Sequence, residues 1–98
     1  MPSKQDEASD YDLSSTGTIV ETTANHGSDI GWNVKAGTAV DLVVEVKGND
    51  VGWLTHKSVS STTDENDGAT LPEARRVRIR NTTTAADTAD ALLGVSEE

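Results

Sequence analysis

Residues 38–48, TAVDLVVEVKG, constrain the fold more than any other stretch. Val40, Leu42, Val44 and Val46 share one parity, and Asp41, Glu45 and Lys47 share the other. Successive side chains of a strand point to opposite faces, so this pattern buries an aliphatic row and wets a charged one. Val43 breaks the alternation, which implies that the outer face is partly covered too. β-Branched residues dominate the segment and favour strand over helix. It is a central strand.

The rest of the chain reads as further strands and turns. Residues 17–22, GTIVET, predict a short first strand. Asn25, His26, Gly27, Ser28 and Asp29 then form a turn cluster, since Gly, Asn and Asp accommodate tight or left-handed backbone. Ile30, Trp32 and Val34 alternate with Gly31, Asn33 and Lys35 as a second strand. Residues 35–38 make a connection of hairpin length, which predicts that strands two and three are antiparallel neighbours. Gly48, Asn49 and Asp50 are turn chemistry again, and residues 51–59 predict a fourth strand around Trp53. Residues 60–68, SSTTDENDG, predict a long polar loop and the most mobile part of the domain.

Pro72 pins the entry to the next strand. In residues 75–81, RRVRIRN, Val77 and Ile79 point inward while Arg76, Arg78 and Arg80 line the other face. A Thr-rich link leads to a last strand over 89–95, with Ala91, Leu93 and Val95 in one row. A short helix over 84–93 is the competing reading there, because Ala and Leu are good helix formers. Six or so short strands between turn signals predict an all-β fold, a small antiparallel β-sandwich or barrel of jelly-roll-like kind over residues 16–98. Residues 1–15 carry Asp6, Glu7, Asp10 and Asp12 and predict a flexible, acidic N-terminal arm. Tyr11 and Leu13 are its exceptions, available to dock onto the domain or onto a neighbouring subunit.

A chain of 98 residues is one domain with a modest core. It has no cysteine, so neither a disulfide framework nor a thiolate metal site reinforces that core. Assembly with other subunits is the expected source of added stability. Seventeen acidic residues face eight basic ones, for a net charge of −9. Such self-repulsion is relieved by concentrated salt, and the composition resembles that of halophilic archaea and their viruses. An acidic surface argues against sequence-independent nucleic-acid binding, which requires phosphate neutralisation. No run reaches the length of a membrane span, and the N-terminal residues lack a signal peptide's apolar region.

Arg75, Arg76, Arg78 and Arg80 form a local positive stripe in this acidic chain. Guanidinium groups pair bidentately with carboxylates, so the stripe suits an acidic neighbouring subunit, or intrachain pairing with Asp41 and Glu45. Asp64, Glu65, Asn66 and Asp67 before Gly68 do not make an EF-hand, because Thr63 and Ala74 fall where carboxylates are required. His26 and His56 are the only histidines, and a transition-metal site would need carboxylate help. No G-x-S-x-G elbow is present. Trp32 and Trp53 read as core anchors, with a sugar-stacking platform as the alternative. Asn81-Thr82-Thr83 fits the N-glycosylation sequon. No catalytic residue, metal ligand or cofactor site is expected, and the chain does not read as an enzyme.

From residue 38 to residue 95 the order of features is a valine-rich strand, the Gly48-Asn49-Asp50 turn, Trp53, a polar loop, and the alternation Arg76-Val77-Arg78-Ile79-Arg80. A small-residue strand, ADALLGV, closes it. This order resembles small β-sandwich structural modules of tailed phages and archaeal tailed viruses. It departs from them at Arg76, where such modules usually carry an aromatic. The resemblance implies a virion setting: a capsid decoration or cement protein acting as an oligomer, with a tail, vertex or fibre module that binds a receptor or glycan as the alternative. The implied partners are further copies of the chain and other virion proteins such as the major capsid protein.

Overall fold

Alternating side chains and antiparallel pairing account for every regular element among residues 3–24, 27–48 and 52–97, the residues described in the computed structural model. These elements are β1 (Ser3–Asp12), β2 (Gly17–Thr23), β3 (Gly27–Lys47), β4 (Leu54–Thr70), β5 (Arg76–Asn81) and β6 (Thr88–Glu97). Asn25, His26, Asn49, Asp50 and Val51, which belong to two predicted turns and one predicted strand, lie outside the described residues. The strands pair antiparallel in the order β1-β6-β3-β5-β2, with β4 along the other edge of β3.

β3 is the spine. Its first half pairs with β6 and its second half with β5, while β4 follows it on the opposite edge. The β3–β4 register shifts between Lys35 and Val40 and again before Leu42. Bulges of this kind bend a strand and increase its twist. Here the bend brings the sheet round on itself, nearly into a barrel, with two leaves facing each other. The first leaf is β1, β6, the first half of β3 and the second half of β4. The second leaf is β2, β5, the second half of β3 and the first half of β4.

The inner rows meet in one core. From the first leaf come Ile30, Trp32, Val34, Ala91, Leu93 and Val95; from the second come Val20, Leu42, Val44, Val77 and Ile79. Burial of each large aliphatic side chain contributes about 1.5–3 kcal/mol against solvent exposure. Leu13 is fully buried where the β1–β2 turn crosses the end of the sandwich. Its backbone is held too: its N–H donates to the Asp87 carbonyl, and its own carbonyl accepts from Ala85.

The all-β architecture and the inward rows of β3, β5 and β6 follow the sequence, and residues 84–93 form no helix. Three expectations need correction. Residues 35–38 do not reverse the chain, so the two strands expected on either side are one 21-residue strand. Tight hairpin turns of the favoured kinds need positive φ, and no described glycine has it, Gly37 included. Residues 60–68 are strand, not loop: Lys35 pairs with Asp64, Asn33 with Asn66 and Gly31 with Gly68.

The third correction concerns residues 3–12. Instead of a free arm they are β1, paired along β6 from Ser3↔Ser96 to Asp12↔Thr88. An edge strand draws its cohesion from the backbone ladder and needs few apolar side chains. Ala8 and Tyr11, packed against the core, suffice alongside Leu13.

Candidate interaction surface

The outer face of the second leaf holds the arginine row. β5 alternation puts Val77 and Ile79 inside, fully buried, and turns Arg76, Arg78 and Arg80 outward. Register then fixes their neighbours: Arg80 lies opposite Val43, Arg78 opposite Glu45 and Arg76 opposite Lys47 on β3. On the other side β2 brings Glu21 opposite Arg78 and Thr23 opposite Arg76.

Glu45 is the centre of this face. It is only 7% exposed, although its parity marked it for water. Arg78 Nε donates to its Oε1 at 2.8 Å, Arg80 Nε to the same oxygen at 2.7 Å, and Arg80 Nη2 to Oε2 at 3.3 Å. The Arg80 guanidinium, seconded by Arg78, holds the Glu45 carboxyl below its ordinary value against the opposing push of burial. Trp53 lies against Arg78, whose guanidinium carbon is 4.0 Å from the ring centroid, a cation–π contact. Arg76 pairs with Glu21. Arg75, just before the strand, donates from Nη1 to the carbonyls of Pro72 and Ala74.

Of the two partners expected for an intrachain pairing, Glu45 takes two arginines, whereas Asp41 accepts the Ser61 N–H through Oδ1. The Glu21–Arg76 pair was not legible, because nothing in the sequence sets the β2–β5 register. The break at Val43 was the available signal for Glu45: Val43 is 6% exposed, so the outer face around them is covered.

Beside this face lies an apolar hollow of about 350 Å³, lined by Val46, Leu54, Leu71, Pro72 and Ala74 with Lys47 at its rim. Leu54 is 55% exposed at its edge.

The other singled-out residues have structural employment. Leu13 sits inside its own chain's core and Tyr11 packs against that core, so both dock onto the domain. Trp32 is buried, donates its indole N–H to Glu65 Oε2 at 3.1 Å, and meets His56 edge-on with ring centroids 6.0 Å apart. Lys57 bridges Glu65 at 2.8 Å and Asp67 at 2.6 Å. The Asp67 and Glu65 carboxylates raise the Lys57 ammonium above its ordinary value. Those two acids are thus committed to a cation of the chain itself. Asn81 ends β5 fully buried, and its Nδ2 donates to the carbonyls of Ser15 and Thr83, which leaves the sequon's nitrogen no exposure to a modifying enzyme.

No family model matches the sequence, and no curated protein does. Solved structures do. The SPBc2 prophage-derived protein YomS is similar with a TM-score of 0.69 at 8% identity, over 98% of this chain and 96% of that one. A Bacillus endospore appendage protein, from a family described as disulfide-linked pili, is similar at 0.54 and 16% identity, over 98% and 89%. PirA is similar at 0.51 and 12% identity, over 96% and 93%. At these identities the likeness is one of fold, and it extends over essentially the whole chain.

Proposed function

We propose that this chain is a non-enzymatic structural protein of a virion, acting as an oligomer that decorates or cements the capsid surface. The observation that carries the reading is the outer face of the second leaf. Five of the chain's eight Lys and Arg residues, Lys47, Arg75, Arg76, Arg78 and Arg80, gather at that face and its entry, on a protein of net charge −9. Arg76, Arg78 and Arg80 are paired within the chain to Glu21 and Glu45 but stay partly exposed. A guanidinium has five N–H donors, so the face can still engage an acidic partner, either another copy or the major capsid protein.

A virion setting draws support from two directions. One is the order of features over residues 38–95. The other is a fold shared, end to end, with a prophage-derived protein and with a spore appendage protein. The appendage family is disulfide-linked by description; this chain has no cysteine, so its own assembly rests on non-covalent contacts. A structural rather than catalytic role is also in keeping with the titratable groups. Glu45, Arg80, Lys57 and Asp67 are shifted by pairing with neighbouring side chains of opposite charge, and they hold the sheet together. The acidic excess suits a high-salt host.

A glycan-binding role in a tail or fibre has less in its favour, since Trp32 is buried and the Trp53 ring already carries Arg78. The test is mass spectrometry of particles purified from the host that encodes the chain. Its presence in fixed ratio to the capsid protein supports the reading; a few copies per particle, or none, overturns it.

A further inference from the structure

The two leaves carry opposite charge on their outer faces. Outward positions of the first leaf, given by strand parity and register, hold Glu7, Asp12, Asp29, Asp64 and Asp90 against Lys35. Outward positions of the second leaf hold Lys47, Arg76, Arg78 and Arg80 against Glu21, Glu45 and, at the far end, Asp41. Because both inner faces share one core, these outer faces lie on opposite sides of the molecule.

The acidic face also has a trough at its centre. Gly94, Gly31 and Gly68 lie side by side across β6, β3 and β4, and a hollow of about 410 Å³ opens over Gly31 and Gly94. Gly68 is needed within the chain, since a Cβ there would come 2.9 Å from the Ile30 carbonyl oxygen. Gly31 and Gly94 are not: the nearest atoms to a Cβ stand at 3.9 and 3.8 Å. Glycine inside a strand costs about 0.5–1 kcal/mol, and one of its recurrent settings is a site where a ligand or another backbone approaches closely.

Resting on the structural reading above, we infer that copies of this chain stack head to tail, the basic outer face of one against the acidic, glycine-floored outer face of the next. Facing like with like would set arginines against arginines or carboxylates against carboxylates, so a two-fold contact through either face is disfavoured. A head-to-tail contact leaves one face free at each end and builds a ring or an open filament, according to the rotation per copy. In concentrated salt the long-range attraction shrinks, and contact pairs and the trough carry the interface.

The test is sedimentation of the full chain. Wild type should self-associate, less so as NaCl rises from about 50 mM to about 500 mM. Two variants alter one face each without touching the Glu45 cluster: Glu7→Lys with Asp64→Lys, which cancels the net charge of the acidic face, and Lys47→Glu with Arg76→Glu, which reverses the basic one. Each alone should bind itself at least about tenfold more weakly, and an equimolar mixture should regain association, since each then meets an opposite face. Gly94→Val gives a steric check that does not depend on charge: it should keep the fold and lose association. A wild type that stays monomeric overturns the inference, as does a mixture that recovers nothing or a Gly94→Val chain that associates normally. Incorporation into particles is scored separately, so a chain present in virions yet monomeric in solution defeats the stacking and leaves the virion reading standing.

Discussion

At the scale of single residues, the decisive finding is that Glu45 is covered and that two arginines answer it. Removing one, as in Arg80→Ala, leaves Arg78 in place and should cost about 1 kcal/mol. Removing both, Arg78→Ala with Arg80→Ala, strands a nearly buried carboxylate and should cost about 3 kcal/mol. Arg76→Ala should cost less than about 1 kcal/mol, because that pair is half exposed. Urea denaturation of the three variants checks the order. Charge reversal at 78 and 80 is therefore a poor probe of assembly, since it would act through stability first. The same cluster gives a pH dependence. The folded-state pKa of Glu45 lies below its ordinary value of 4.5, so its contribution is complete above that pH and is lost as pH falls through the lower, folded value. Glu45→Gln should flatten the acid limb of a stability–pH profile, and an unchanged limb would contradict the assignment.

At the scale of elements, the strands whose inner rows are aliphatic were legible: β5 and the second half of β3 alternate with period two, β2 reads as strand from its β-branched residues, and β6 was read as strand against a competing helix over 84–93. What escaped was strand built from polar residues. The second half of β4 puts Glu65 and a half-exposed Asp67 on the Trp32 side, paired with Lys57 across the bend of the same strand, so its apolar signal is reduced to Ala69. β1 escaped for a related reason, its pairing being a backbone property that composition does not report. The join at residues 35–38 misled because Ala-Gly-Thr suits a turn as well as a bulge. The arginine row was visible in the sequence, but its partners Glu45 and Glu21 depend on cross-strand register. Two outcomes follow. Hydrogen exchange should find alternate amides of residues 64–70 protected by β3, where a loop would exchange freely throughout. Gly68→Ala should destabilise by about 2 kcal/mol through its clash with the Ile30 carbonyl, whereas Gly94→Ala should be neutral or stabilising in thermal melts.

At the scale of the whole molecule, a charge of −9 on 98 residues is divided unevenly, with cations concentrated on one leaf and carboxylates spread over the other. Screening should relieve the overall repulsion, so the melting temperature should rise between about 0.1 M and about 3 M KCl while any face-to-face association weakens. The two trends run in opposite directions and separate the stability of the fold from the attraction between copies. The central claim, a shell-bound structural protein, is tested most directly by copy number: quantitative mass spectrometry of purified particles, referenced to the major capsid protein. The account predicts a ratio fixed to the capsid protein, in the hundreds of copies expected for a subunit repeated over a shell (an order of magnitude set by symmetric assembly). A complement of only a few copies per particle, or none, would contradict it.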